Sequence, residues 1–398
     1  MKGVKSMEKR TDNKGRILRN GESQRKDGRY AYKYIENGKP KFVYSWKLVS
    51  TDRIPKGKRD CVSLREKVKM IEKDLSDGIS TSNRNMTVSQ LYDRYTRSKA
   101  NVRKGTQTGR KYLKEALQTD ILGNMSIDKV KLSETKAWAY RMREKYAYST
   151  VKNMKRSLNA TFHLAIQDDL LRKNPFDFAL TDVIENDTKK KEALTKEEIK
   201  ALLDFAKTDK TYKVYYPAIV ILLNTGLRIS ELCGLTLSDI DFDNRTIDIN
   251  HQLKKDKDGY YTEPPKSDSG YRKIPMTDLV FQTLLEVIKN RKNTQPIVVD
   301  GYSDFLFLNR QGLPMYNAYY SCRFSALSKK YRKYTGKELP NITPHILRHT
   351  FCTNMANKGM TPNNLQYVMG HKNITMTLGY YAHGSYQSAQ AEMKRLTA

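Results

Sequence analysis

Two polar stretches divide this chain into three segments, and this division constrains the fold more than any other feature of the sequence. Residues 77–85 are rich in Ser and Asn, and residues 185–191 end in a run of lysines. Polar stretches without apolar periodicity are typical of linkers. Because 398 residues exceed one ordinary domain, we predict three domains, at residues 1–80, 86–180 and 192–398.

The first segment carries a β-hairpin pattern. Aromatic residues alternate with other types on both sides of Asn37-Gly38, first as Tyr30, Tyr32 and Tyr34 and then as Phe42, Tyr44 and Trp46. This alternation indicates two antiparallel strands joined by a tight turn. Ile17-Leu18 is a candidate third strand, and a capping box at Ser63 and Glu66 begins a helix. We predict a three-stranded sheet with one helix, whose aromatic faces either form core or lie in a DNA groove.

The second segment has a helical pattern throughout. A capping box at Thr87 and Gln90 begins it, and residues 149–169 place apolar side chains at helical spacing before the Asn174-Pro175 stop. Lysines and arginines occupy the polar positions between them. An all-helical, basic domain is predicted.

The third segment is predicted to be mixed. Thr195 and Glu198 form a further capping box, and most of the segment has helical periodicity. Residues 246–249 and 272–275 instead have the composition of strands. The fold class is therefore multidomain and mainly α, with an N-terminal three-stranded β-sheet plus helix, a helical domain, and a mixed α+β, mostly α, C-terminal domain.

The balance of charges indicates a polyanionic partner. The chain has 73 Lys+Arg against 43 Asp+Glu, a formal net charge of +30. Such an excess favours nucleic acid, which releases counterions when a basic protein binds it. An anionic membrane surface is the competing interpretation, but no long basic stretch has a purely apolar opposite face. We expect DNA, and no membrane, as the partner.

The cysteines and apolar runs indicate the compartment. The four cysteines lie far apart without a C-x-x-C pair, which argues against a disulfide framework or a zinc finger. No apolar run approaches the ~18 residues of a transmembrane helix, and no apolar stretch follows the basic residues at the start. A soluble, cytoplasmic protein is expected.

A set of basic residues and tyrosines in the third segment suits attack on a DNA phosphate. Such attack needs an in-line nucleophile, an acid for the leaving oxygen, and cations, of which arginine is best because its planar fork meets phosphate bidentately. His345, Arg348 and His349 stand at i, i+3 and i+4 on one helical face. The other candidates are Arg228, Lys266 in a predicted hairpin tip, His371, and the pair Tyr380-Tyr381.

Each of these residues also has a simpler explanation. His345 and His349 could be a zinc pair, but Ile346 stands where that motif has glutamate, and no third ligand follows at suitable spacing. Arg228 could pair with Glu231 inside the core, and Lys266 could be a solvated loop residue. Only the joint order and spacing favour catalysis.

Five stretches resemble, in order, the catalytic boxes of the tyrosine recombinase (phage integrase) family. They are residues 225–232 (TGLRISEL), 266–275 (KSDSGYRKIP), 343–350 (TPHILRHT), 369–371 (MGH) and 381–383 (YAH). The N-terminal sheet resembles the arm-site-binding domain of integrases from conjugative transposons of Gram-positive bacteria, the subgroup that the whole chain resembles most. The resemblance implies arm-type DNA binding by residues 1–80, a SAM-like core-binding domain at 86–180 and a recombinase catalytic domain at 192–398.

The resemblance also implies a role for each site residue. Arg228 and Arg348 would bind the scissile phosphate, Lys266 would be the general acid, His345 would be a base or second acid, and His371 would hydrogen-bond the phosphate. The nucleophile would be Tyr381, because Tyr381-Ala382-His383 fits the family pattern Tyr-x-His. Tyr380 is the alternative.

The implied activity is integration and excision of a mobile element through a 3′-phosphotyrosine intermediate and strand exchange, without metal, ATP or other cofactor. The implied partners are double-stranded DNA at the element ends and target site, a homo-tetramer on that DNA, an excisionase and a host DNA-bending protein. A type IB topoisomerase and a DNA-binding regulator are the alternatives. The N-terminal module argues against the first, and the candidate catalytic residues argue against the second.

The tail after the tyrosine pair carries a short apolar stripe of Tyr386, Ala389, Met393 and Leu396. The stripe is too small to fold alone. We expect it to dock on a neighbouring subunit, with docking on its own subunit as the alternative.

Overall fold

The computed structural model describes residues 10–36, 38–77, 86–188, 192–291, 297–381, 393, 394 and 397. The chain forms two compact units, Met1–Lys189 and Lys190–Ala398. The predicted mainly α fold with a small N-terminal sheet is confirmed. The predicted domain boundary at residues 80–86 falls inside the first unit, at a stretch that is largely outside the described residues, and it stays a prediction.

The N-terminal sheet has three antiparallel strands in the order β1-β2-β3: β1 (Glu22–Gln24), β2 (Tyr30–Glu36) and β3 (Lys39–Ser45). The predicted hairpin is confirmed, because Glu36 pairs with Lys39 across Asn37-Gly38. The predicted third strand at Ile17-Leu18 is wrong, since Ile17 makes only an isolated bridge to Thr11. The strand actually used, β1, is polar, and so it lacks the apolar alternation from which strands are predicted.

The two faces of this sheet have different environments. Tyr30 is buried on the face that packs against α1 (Leu64–Ser76), which begins at the predicted capping box. Phe42 is 53% exposed on the other face, where its ring stacks on that of Tyr44. The guanidinium of Arg25 lies 5.3 Å from the centre of the Tyr44 ring. One aromatic face is therefore core, and the other is an open, basic surface.

The rest of the first unit is helical, as predicted. Its helices α2 to α6 are Val88–Ser98, Lys104–Thr119, Ile121–Asn124, Leu132–Lys145 and Tyr148–Gln167. The predicted capping box of Thr87 and Gln90 begins α2. Trp138 and Phe162 both pack on the ring of Phe176 in the core.

The second unit contains the helices α7 to α14, which are Lys196–Thr208, Tyr216–Thr225, Ile229–Gly234, Asp278–Lys289, Asn317–Thr335, Pro344–Asn357, Pro362–Met369 and Thr375–Leu378. It is built around α8, which is apolar and almost entirely buried. Helix α7 begins at the predicted capping box of Thr195 and Glu198. Among the described residues, no helix is long and apolar enough to cross a membrane.

The strands of the second unit form two small sheets. β4 (Ile240–Asp241), β5 (Thr246–Ile249) and β8 (Arg272–Pro275) form the first, and β6 (Gln252–Asp256) and β7 (Gly259–Glu263) form the second. The two predicted strands are thus confirmed as β5 and β8, which pair with each other. The predicted hairpin tip at Lys266 is wrong. Lys266 lies in a loop that joins β7 of one sheet to β8 of the other. The strand β7 pairs with β6, and β8 pairs with β5, so the two strands that flank Lys266 do not form a hairpin with each other.

Candidate active site

Arg228 stands at the junction of α8 and α9. Gly226 ends α8 with φ +65°, and a Cβ at this position would lie 2.4 Å from Cδ1 of Phe351, so the close approach requires glycine. Arg228 is the N-cap of α9, where its backbone N–H and its Nη1 donate to Glu231 at 2.9 and 2.7 Å. The ion pair considered as an alternative role for Arg228 is therefore present, and it leaves other N–H groups of the guanidinium available.

Arg348 extends from α12 into the interior and is 6% exposed. Its Nη1 donates to the carbonyl of Gly226 and its Nη2 to that of Met369, both at 2.5 Å. Burial, together with the charge of Arg228, lowers the pKa of Arg348 to about 9. The guanidinium therefore stays charged at neutral pH even though the protein has removed it from water.

Three arginines donate to three consecutive backbone carbonyls at the end of α13. Arg272 Nε reaches Val368 O at 2.7 Å, Arg348 Nη2 reaches Met369 O at 2.5 Å, and Arg228 Nη2 reaches Gly370 O at 2.8 Å. The last carbonyls of a helix have no intrahelical partner and carry partial negative charge. The arginines satisfy them, and in return the helix end fixes the positions of the arginines.

Glu231 is the carboxylate at the centre of this cluster, and it is 1% exposed. It accepts hydrogen bonds from Arg228 and also from Nη2 of Arg272 at 2.9 Å. Burial favours the neutral acid, but Arg272, Arg228 and Arg348 together lower the pKa of Glu231 to about 2. Three guanidinium groups and one carboxylate leave two positive charges, an arrangement that can bind a phosphate.

His371 follows directly after this helix end and is buried. Its Nδ1 lies 3.0 Å from Oγ1 of Thr377, so the hydroxyl helps to hold the ring. Burial and the charges of Arg348, Arg228 and Arg272 lower the pKa of His371 to about 4. The imidazole is therefore neutral near pH 7, where it can donate or accept one hydrogen bond without adding charge.

The two adjacent tyrosines have different surroundings. The hydroxyl of Tyr381 donates to the backbone carbonyl of Met360. The ring of Tyr380 lies 5.0 Å from that of His349 and stacks on that of His371 at 6.5 Å. Burial raises the pKa of both phenols, so both are protonated at neutral pH.

The structure brings Arg228, Arg348 and His371 together, and Tyr381 packs on the adjoining α12–α13 region. Lys266 and His345 are exposed, in the β7–β8 loop and in the first turn of α12. Ala382 and His383, and the tail residues Tyr386, Ala389 and Leu396, lie outside the described residues. Among the described side chains, no group of three or more His, Cys, Asp or Glu could hold a metal ion.

Glu231 and Arg272 are site residues that the motifs and their spacing do not predict. A signal existed for Arg272, because it shares one face of β8 with the buried Ile274 and so had to point inward. An arginine on the buried face of a strand needs an acidic partner. Glu231 was considered only as an alternative partner of Arg228.

Comparison with known proteins places this geometry in a family. Residues 192–388 match the model of the phage integrase family, and residues 6–75 match that of the DNA-binding domain of Tn916 integrase. The chain is 58% identical over 392 residues to the transposase from transposon Tn916 of Enterococcus faecalis, covering 98% of this chain and 97% of that protein. The transposase from Tn1545 of Streptococcus pneumoniae gives the same values.

Solved structures of a transposon integrase are also similar. The Tn1549 integrase (aa 82–397) in complex with a circular intermediate DNA is 53% identical with a TM-score of 0.75, covering 78% of this chain and 99% of that one. A tyrosine-to-phenylalanine variant of the same integrase in complex with transposon right end DNA gives a TM-score of 0.75 at 53% identity, with 79% and 100% coverage.

Proposed function

The chain belongs to the phage integrase family of tyrosine recombinases, and we propose that it integrates and excises a conjugative transposon by cleaving and rejoining DNA at the ends of the element. The single observation that carries the proposal is the cluster of the partly exposed Arg228 with the buried Arg348 and His371, which has the charge to bind a phosphate and lies beside a tyrosine pair. The named relatives act in transposons, and the Tn1549 integrase was solved with transposon end and circular intermediate DNA.

The proposed reaction exchanges one phosphoester for another. As the general base takes its proton, the phenol oxygen of Tyr381 attacks the scissile phosphorus. The bond to the 5′ oxygen breaks and this oxygen takes a proton from the general acid, so that a 3′-phosphotyrosine and a free 5′-hydroxyl result. The 5′-hydroxyl of a partner strand then attacks this phosphotyrosine and releases the tyrosine. Because the bonds broken and formed are of the same type, the exchange requires no ATP. In this scheme arginines supply the positive charge at the phosphate, so no metal is used.

Each site residue has a task in this scheme. Arg228 and Arg348 hold the non-bridging oxygens, where negative charge builds up as the tyrosine attacks. His371, neutral near pH 7, hydrogen-bonds the phosphate. Lys266 lies in an exposed loop and protonates the leaving 5′ oxygen, while His345 serves as base or second acid.

Duplex DNA is the proposed substrate, bound by all three proposed domains. The open face around Phe42 and Tyr44 carries Arg25 and Arg29, which suits it to contact arm-type DNA sites. Since affinity is carried by phosphate contacts, the logarithm of the binding constant should fall steeply and linearly with that of the salt concentration. The proposed site of action is the cytoplasm.

The active assembly is proposed to be a tetramer on two DNA sites, assisted by an excisionase and a host DNA-bending protein. The apolar stripe of the tail would join neighbouring subunits. A chain truncated after Gly384 should still bind a single site but should fail to form the tetramer, as measured by gel shift and light scattering. Unchanged tetramer formation would count against docking between subunits.

The experiment that tests the proposal uses a nicked suicide duplex carrying the end of the element, incubated with the protein in EDTA. The nick releases the strand with the 5′-hydroxyl, so cleavage cannot reverse and a covalent adduct accumulates. An SDS-resistant adduct on a denaturing gel, with the modified peptide mapped to residue 381, is the expected result. Tight binding without any adduct would reduce the protein to a DNA-binding factor, and relaxation of supercoiled DNA without need for paired sites would favour a topoisomerase.

A further inference from the structure

We propose that Arg272 is a positioning residue for the recombination reaction, which acts by holding Arg228 and the segment before His371 in one fixed arrangement. The inference rests on the proposed function, because it concerns the same active site. Arg272 lies outside the set of residues to which the sequence assigned a catalytic role. Its side chain is completely buried, so it would act through the residues that it holds and not through a contact with DNA.

The first support is the link from Arg272 to Arg228 through Glu231. Arg272 donates to both carboxylate oxygens of Glu231, from Nη2 at 2.9 Å and from Nη1 at 3.3 Å. Each of these oxygens also accepts from Arg228, one from Nη1 at 2.7 Å and the other from the backbone N–H at 2.9 Å. The fork of Arg272 thus fixes the plane of the carboxylate, and the carboxylate fixes the guanidinium of Arg228.

The second support is the link from Arg272 to the two backbone segments beside it. Its Nε donates to Val368 O at 2.7 Å, and its Nη1 donates to Gly270 O at 3.0 Å. A Cβ at Gly370 would lie 3.0 Å from Nη1 of Arg272, so the helix end packs directly on this guanidinium. One side chain on β8 therefore contacts α9, the end of α13 and the loop that follows Lys266.

No other residue type can make this set of contacts. A lysine ammonium can reach one or two acceptors but lacks the planar fork that meets both oxygens of Glu231 while Nε serves a third element. An apolar residue would leave the buried carboxylate of Glu231 with one guanidinium fewer. Glu231 would then keep its hydrogen bonds to Arg228, so the carboxylate and the guanidinium of Arg228 could shift together. A catalytic group displaced by about 1 Å can slow a reaction by about 10²-fold.

A buried ion pair can also serve folding alone, and the test must separate the two roles. The measurement is single-turnover formation of the covalent adduct, with the full-length protein limiting and the nicked duplex in saturating excess. The amplitude gives the fraction of active molecules, and the rate constant gives the speed of each active molecule. A role in folding alone lowers the amplitude, whereas a positioning role lowers the rate constant.

The variants are Arg272→Met, Arg272→Lys and Glu231→Gln, with Arg291→Met as the matched control. Arg291 also forms an ion pair in this unit, with Asp304 at 2.9 Å. Neither residue of this pair belongs to a segment that carries a proposed catalytic residue. We expect Arg272→Met to lower the rate constant by about 10²-fold with unchanged DNA affinity, and Arg272→Lys to lower it less. Arg291→Met should react at the rate of the unmodified chain.

Two further readouts depend on Glu231. The charged groups that face it are Arg228, Arg272 and Arg348, and without Arg272 it should bind a proton more readily. Arg272→Met should therefore lose rate as the pH falls, through a range in which the unmodified chain is unaffected. If Arg272 acts through Glu231, the double variant Arg272→Lys/Glu231→Gln should be no slower than the slower single variant. These two substitutions keep the side-chain size and so serve if Arg272→Met fails to fold.

The possible outcomes separate the inference from the function on which it rests. A normal rate constant with a reduced amplitude in the Arg272 variants would overturn the positioning role and leave the recombinase function intact. Multiplicative effects in the double variant would likewise overturn the link through Glu231. An unmodified chain that forms no adduct would overturn the proposed function, and the inference with it.

Discussion

Arg228 donates a hydrogen bond of 2.8 Å from Nη2 to the carbonyl oxygen of Gly370, although 142 residues separate the two in the chain. The bond joins the start of α9 to the end of α13, and His371 follows directly. The guanidinium that would bind phosphate is therefore oriented before any DNA arrives. Groups fixed in advance stabilise a developing charge without a cost of reorganisation at the moment of reaction.

Single substitutions can distinguish the roles of the two tyrosines. Tyr381→Phe should abolish formation of the covalent adduct and leave DNA binding unchanged, because only the phenol oxygen is removed. Tyr380→Phe is the matched control and should still form the adduct, since it keeps the ring that packs on His349 and His371. Denaturing gels and gel shifts measure the two properties. An adduct that persists in Tyr381→Phe and disappears in Tyr380→Phe would assign the nucleophile to Tyr380.

The Arg348→Lys variant should form the covalent adduct slowly, and its rate of adduct formation should rise as the pH falls. Burial and neighbouring charges lower the pKa of Arg348 to about 9 from the much higher ordinary value of arginine. The ordinary pKa of lysine is lower than that of arginine. A lysine here would therefore lose much of its charge near neutral pH. We expect adduct formation to fall by about 10²-fold or more at pH 8 and to recover partly toward pH 6. Arg228→Lys, at a more exposed position, should show the loss without the recovery. A rate for Arg348→Lys that does not change with pH would contradict this explanation.

His371 should make the stability of the second unit depend on pH. Its pKa is about 4 in the folded chain and 6.5 as the reference value, so between these values the unfolded chain binds more protons. The free energy of unfolding therefore rises with pH in this window, and the contribution of His371 to it is lost as the pH falls. Between pH 7 and pH 5 the loss from this residue is about 2 kcal/mol. Urea unfolding of His371→Gln should show a weaker pH dependence by about this amount, and an identical dependence would refute the assignment.

Gly226→Ala should destabilise the second unit and also impair the site. Alanine there must adopt a φ of +65° and place its Cβ 2.4 Å from the ring of Phe351. The matched control is Gly336→Ala, which has nearly the same φ, +68°, with open space around its Cβ. We expect the control to lose about 1 kcal/mol and Gly226→Ala to lose about 2 kcal/mol more because of the clash. Denaturant unfolding measures the difference, and equal losses would show that the ring of Phe351 moves aside.

Much of the local structure could be predicted because its causes lie within a few residues. The capping boxes at Ser63, Thr87 and Thr195 each begin a helix as expected, since a cap and its partner are three residues apart. The hairpin around Asn37-Gly38 was predictable for the same reason. The first strand was not, because β1 is polar and is held in place by pairing with β2.

The candidate site was only partly predictable. The residue types and their spacing identified Arg228, Arg348 and His371, which the fold brings together. They also led to Lys266 and His345, which lie at exposed positions and whose roles stay predictions. Spacing along the chain defines which face of a helix a residue occupies, but it does not define which other elements pack against that face.

The sequence alone determined the segments, most helices and strands, and the chemical types available for catalysis, because these depend on periodicity, caps and composition. Tertiary structure decided the contacts that make a site from them. The pairing of Glu231 with Arg272 spans 41 residues, and the bond from Arg272 to Val368 spans 96. Such contacts arise only when packing of the core brings distant elements together, and a buried charge then takes whichever partner this packing supplies.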